Sequence, residues 1–124
     1  MLNSKKKLEA EISAAFIKLQ RELIGRGPQE AKTYIISDML ITRFKGVLTV
    51  EEKHLANCET GRQLVKQMRE VLREMYSKQY EDIVEQYTGC KVLSSHSDIS
   101  TKTGERIEVF IVDKDLEKSL ETIK

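Results

Sequence analysis

The chain has 124 residues, of which 40% are hydrophobic and 33% charged, with 21 Lys/Arg against 20 Asp/Glu. That length suits a single domain over 1–124 and buries roughly two-thirds of the unfolded surface without staples. No apolar run approaches the roughly 18 residues of a membrane span. Lys5–Lys7 lead into a mixed polar stretch rather than the apolar block of a signal peptide, and two cysteines in such a chain suit free thiols. The expected location is the cytoplasm.

Charge is unevenly spread. Residues 1–48 carry nine basic and five acidic side chains (+4), 49–88 six and eight (−2), and 89–124 six and seven (−1). A nucleic-acid binder shows a larger basic excess and interleaved aromatics. With three Phe, four Tyr and no Trp, nucleic acid is not expected as a partner.

In chain order, Leu8, Ile12, Phe16, Leu19 and Leu23 recur at helical spacing. Asn3 or Ser4 is placed to cap this first helix and Gly25 to end it. The stripe predicts burial against a sheet. Lys5–Lys7 offer a membrane-surface alternative, but Glu9, Glu11 and Glu22 on the polar side weigh against it. Thr33–Ile36 and Met39–Leu48 read as a hairpin around Ser37 and Asp38. Leu40, Thr42, Phe44 and Leu48 share one face of its second strand, and Arg43 and Lys45 lie on the other.

Thr49-Val50-Glu51-Glu52 matches a capping box and opens a short helix to about Asn57. A longer helix is predicted from Glu59–Thr60 to Thr88, stopped by Gly89, with an inner stripe of Leu64, Met68, Val71/Leu72, Met75, Gln79, Ile83 and Tyr87. Tyr76 and Tyr80 flank that stripe as packing residues. Two strands follow, Lys91–Ser97 and Arg106–Val112, joined by a turn near Thr103 and Gly104. Ile107, Val109 and Ile111 alternate with Glu108 and Phe110, as in a half-buried strand. Asp113–Ile123 can close the chain as a helix. The order α-β-β-α-α-β-β-(α) predicts an α+β fold, a two-layer sandwich with an antiparallel four-stranded sheet and helices on one face.

Chemistry-bearing constellations are sparse. His54, Cys58, Cys90 and His96 do not have zinc-finger spacing, so neither a metal nor a cofactor is expected. The chain lacks a nucleophile elbow and a Walker loop, and Gly25-Arg26-Gly27 is too short for a dinucleotide fingerprint. Strand alternation puts His96 and Asp98 on one face, a pair suited to orienting a ligand rather than to catalysis. An enzyme is not expected. What remains is an anion site built from the segments 25–28 and 97–106. Its candidate residues are Arg26, Gly27, Arg43, Arg62, His96, Asp98, Thr103 and Arg106, near element ends where backbone N–H groups favour anions. The alternative is that these arginines form salt bridges with Asp38, Glu52 and Asp98.

Gly25-Arg26-Gly27-Pro28, Tyr34-Ile35-Ile36-Ser37-Asp38-Met39 and Arg43-Phe44-Lys45-Gly46-Val47-Leu48-Thr49 together resemble the MpsC-like family of small bacterial proteins. Glu52, Gly61-Arg62 and the run from Ser97 to Glu105 extend the resemblance, which covers about residues 8–113. It implies association with a cation-translocating, membrane-potential-generating system whose membrane partners are linked to inorganic-carbon uptake. It supplies no catalytic residues. The expected function is a non-catalytic cytoplasmic accessory or regulatory subunit, peripheral to the inner membrane face and docked on membrane translocase subunits. The alternatives are a free-standing small-anion sensor and, third, a nucleic-acid-binding regulator. Exposed sheet edges make a homodimer the expected assembly.

Overall fold

The computed structural model describes residues 2–121. Helix α1 (Leu2–Ile24) leads into strands β1 (Glu30–Ile36) and β2 (Met39–Lys45). Helices α2 (Val50–Leu55), α3 (Glu59–Met75) and α4 (Ser77–Thr88) follow, then β3 (Val92–Ile99), β4 (Arg106–Val112) and α5 (Leu116–Glu121). The strands form one antiparallel sheet in the order β1-β2-β4-β3, so the expected α+β architecture stands.

Element ends depart from the sequence reading. Helix α1 begins at Leu2, which puts Asn3 and Ser4 inside it rather than at its cap; Gly25 ends it at φ +85°. Strand β1 begins at Glu30, where Gln29 N–H already bonds the Lys45 carbonyl across the hairpin. The Thr49–Glu52 capping box forms with both reciprocal bonds, at 3.1 and 2.9 Å. The long helix breaks at Tyr76, whose φ −106° and ψ 10° leave the α region between α3 and α4. Helix α5 spans Leu116–Glu121, and Ile123 lies outside the described residues.

The core sits between the sheet and α1 and α4. Phe16 of α1 stacks on Phe110 with ring centroids 5.6 Å apart and meets Phe44 and Tyr80 at 6.0 and 5.5 Å. Leu40 and Phe44 are buried as expected. Burying a side chain of this size stabilises by about 1.5–3 kcal/mol.

One cross-strand row of this buried face is polar: Thr33 pairs with Thr42, Thr42 with Glu108, and Glu108 with Ser97. Ser13 of α1 reaches the row through Thr33 at 2.7 Å, and Thr33 meets Thr42 at 2.9 Å. Strand β4 therefore buries Arg106, Glu108, Phe110 and Val112, while Ile107, Val109 and Ile111 stand half-buried on the opposite face. Tyr34, Ile36, Met39 and Ile41 share that opposite face through their register.

Helix α3 also inverts its expected orientation. Gly61, Val65, Arg69 and Arg73 are buried, whereas Leu64, Met68, Val71 and Met75 are 53, 45, 55 and 63% exposed. Gly61 permits the close α2–α3 approach, because a Cβ there would lie 1.8 Å from the Leu55 carbonyl oxygen.

Candidate functional site

Four-residue spacing carries Val65, Arg69 and Arg73 down one side of α3, and helix α2 and strand β4 each offer a carboxylate to meet the two arginines. Arg69 forks onto Glu52, with Nε 2.8 Å from one oxygen and Nη2 2.6 Å from the other. Its Nη2 also donates to the Val47 carbonyl at 2.7 Å. Burial pushes the Glu52 carboxyl up, but the Arg69 fork and the Thr49 N–H outweigh it and hold the group below its ordinary value. One carboxylate thus caps α2 and anchors α3.

Glu108, fully buried at 0% exposure, is the second anchor. Arg73 Nε donates to both its oxygens at 2.8 and 3.0 Å, and Arg106 Nε donates to one at 2.9 Å. The Ser97 hydroxyl donates to the same oxygen at 2.8 Å while accepting from Arg106 at 3.2 Å. Arg73 Nη1 donates to Ser77 at 2.8 Å, and its guanidinium carbon lies 4.4 Å from the centroid of the Tyr80 ring. Burial pushes the Tyr80 phenol up. A cleft of about 340 Å³ opens over this network, with Arg69, Arg73, Ser77, Ser95, Ser97 and Arg106 in its walls and Lys66, Glu70, Glu74, His96, Asp98 and Ile99 completing it.

The sequence candidates disperse. Arg106, His96 and Asp98 line this cleft, and Asp98 pairs with Lys66 at 3.4 Å. Thr103 lines a wider depression beside Gly46 and Lys53. Arg26 braces the end of α1 on the carbonyls of Gly46 and Leu48 at 3.3 and 3.4 Å, and Gly27 packs against Arg21. Arg43 is engaged with Glu105 at 2.7 Å, which holds that carboxyl low, and Arg62 donates to the Ala56 carbonyl at 3.1 Å. Arg26, Gly27, Arg43 and Arg62 line neither the cleft nor the depression.

Among the described residues, no three His, Cys, Asp or Glu side chains gather as a metal site. Cys58 instead caps α3, its sulfur accepting from the Gly61 N–H at 3.3 Å.

Sequence reasoning missed Arg69, Arg73, Glu52 as an anchor and Glu108. Two signals point to them. Arg106 and Glu108 are two apart on a strand and must share a face, and Gly61, Val65, Arg69 and Arg73 form a stripe that opens on a glycine.

The family described as "Na+-translocating membrane potential-generating system (MpsC)" matches residues 4–114. The chain is 41% identical over 123 residues to the uncharacterized protein YbcI of Bacillus subtilis (strain 168), covering 99% of each. It is 29% identical over 108 residues to the uncharacterized protein YrhF of the same organism, covering 86% of this chain and 88% of that one. No solved structure matches significantly. No helix among the described residues is long and apolar enough to cross a membrane.

Proposed function

The chain belongs to the MpsC family, and we propose that it serves as a non-catalytic accessory subunit of a cation-translocating membrane system. It docks from the cytoplasmic side onto a membrane-embedded polypeptide through the outer face of α3. The carrying observation is the exposed stripe of Leu64, Met68, Val71 and Met75, spaced four, three and four residues apart. Contiguous exposed apolar surface of this kind marks a protein-binding face, and helical spacing fits it to a helix or groove of the partner. The family description supports a membrane polypeptide as the occupant, because the described helices cannot themselves span a bilayer.

Tagged protein is crosslinked in native cells and recovered from membrane and soluble fractions. Membrane translocase subunits are expected with the wild type and not with a Met68→Glu/Val71→Glu double variant of unchanged melting temperature. Equal recovery of both proteins with membranes, or of wild type alone from the soluble fraction, overturns the reading.

We also propose a homodimer through the uncovered sheet, where Tyr34 and Ile36 are exposed beside half-buried Ile41, Val109 and Ile111. Light scattering of purified protein at micromolar concentration should give twice the chain mass; a monomer mass overturns it.

A further inference from the structure

The network beneath α3 is short of one negative charge. Arg69, Arg73 and Arg106 are each more than nine-tenths buried, and only Glu52 and Glu108 meet them at comparable depth. Arg69 and Glu52 balance one another. Arg73 and Arg106 share Glu108, so one positive charge stays uncompensated where desolvation is costly. At the same point lies Arg73 Nη2, the one buried side-chain nitrogen or oxygen among the described residues without a hydrogen-bond partner. Buried polar groups are almost always satisfied, and an orphaned guanidinium nitrogen marks a missing acceptor. The Tyr80 ring contributes its quadrupole to Arg73 and leaves the formal charge unbalanced.

The cleft of about 340 Å³ opens over these groups. The Ser77 and Ser97 hydroxyls stand in its walls, each already tied to an arginine. Glu70 and Glu74 on the exposed side of α3 stand in the same walls, where they repel any anion and multiply charged ones most strongly. Asp98 there is engaged by Lys66.

We propose that this cleft binds a small monoanionic oxyanion of the carboxylate type, held by the Arg73 and Arg106 guanidiniums. The excess of one positive charge sets the ligand's charge, and the planar guanidinium fork sets its oxyanion chemistry. Nη2 is closed off from solvent, so binding through it requires the Arg73 guanidinium, held by Glu108 and Ser77, to turn towards the cleft it lines. The site uses the inner side of α3 and does not depend on docking by the outer side.

Thermal unfolding tests the proposal in acetate, bicarbonate and sulfate, each against sodium chloride of equal ionic strength. Acetate or bicarbonate should give a saturable rise of about 5 °C or more at a hundred-fold excess over the dissociation constant, and sulfate a smaller one. Arg73→Lys, which keeps a cation for Glu108 but removes Nη2, should abolish the saturable rise. Because that variant perturbs a buried pair, Glu70→Gln/Glu74→Gln at exposed positions provides the second arm. It should lower the acetate concentration at half-saturation several-fold. No saturable rise with either monoanion overturns the proposal, as does a rise that neither set of substitutions alters.

Discussion

Helices α1 and α3 flank the same face of the sheet, and each carries an apolar stripe at helical spacing. They turn those stripes in opposite directions. Helix α1 presses Ile12 and Phe16 into the core and leaves Lys18 and Arg21 to solvent. Helix α3 presses Arg69 and Arg73 inward and leaves Leu64, Met68, Val71 and Met75 outside. What each helix meets explains the difference. Beneath α1 lie Ile35, Leu40, Phe44 and Phe110, and beneath α3 lie the carboxylates of Glu52 and Glu108. An ionic attachment fixes orientation by paired geometry rather than by apolar area, which frees the apolar side of α3 for another surface.

The contrast breaks most sharply at Glu108. Glu108→Ala strands two buried guanidiniums, and equilibrium urea unfolding should show a loss at the upper end of about 3–5 kcal/mol. A loss under 1 kcal/mol would mean that α3 is not held ionically. On the α1 side, Phe16→Ala should cost about 4 kcal/mol through the cavity left among Phe44, Tyr80 and Phe110. Gly61→Ala forces α3 away from the Leu55 carbonyl and should cost about 2 kcal/mol by the same measurement.

Acid sharpens the comparison further. The Glu52 carboxyl is held below its ordinary value of 4.5, so its contribution is complete above that pH. It is lost as pH falls through the lower folded-state value. Hydrogen exchange between pH 5 and 3 should therefore show α3 and α2 losing protection before α1. The smallest effect belongs to the outer stripe: Met68→Glu/Val71→Glu should change stability by no more than about 0.5 kcal/mol per residue. A loss of several kcal/mol there would mean that the stripe is core after all.

Most of the architecture was legible because the apolar pattern and the local turn chemistry agree over it. The Ser37–Asp38 turn, the Thr49 capping box, the Gly25 and Gly89 stops and the buried face of β2 all follow from short-range rules. The rules fail where hydropathy and burial part company. The stripe Leu64, Met68, Val71, Met75 reads as an inner face because a lone sequence does not reveal that Glu52 and Glu108 supply a polar bed for α3. The arginines near element ends were sound anion candidates by type, but Arg26, Arg43 and Arg62 are engaged locally with backbone carbonyls or Glu105. Only Arg106, with His96 and Asp98 beside it, reaches the cleft. The decisive partner, Arg73, is 35 residues from Glu108 in sequence, and no local pattern links them.

The order of the sheet also bears on how fast the chain can fold. Strands β1 and β2 close across a tight turn, as do β3 and β4 across Ser100–Glu105. The central seam between β2 and β4 joins these two hairpins only after the chain carrying α2, α3 and α4 has looped back. Closing such a loop is an entropic toll that local hairpins escape, so the seam is the slow step. Glu108 lies on that seam, and its two arginine contacts mature no earlier than the seam does. Substitutions at Glu108 should therefore register chiefly in the unfolding rate, whereas changes at the hairpin turns, which close before the seam, should slow folding.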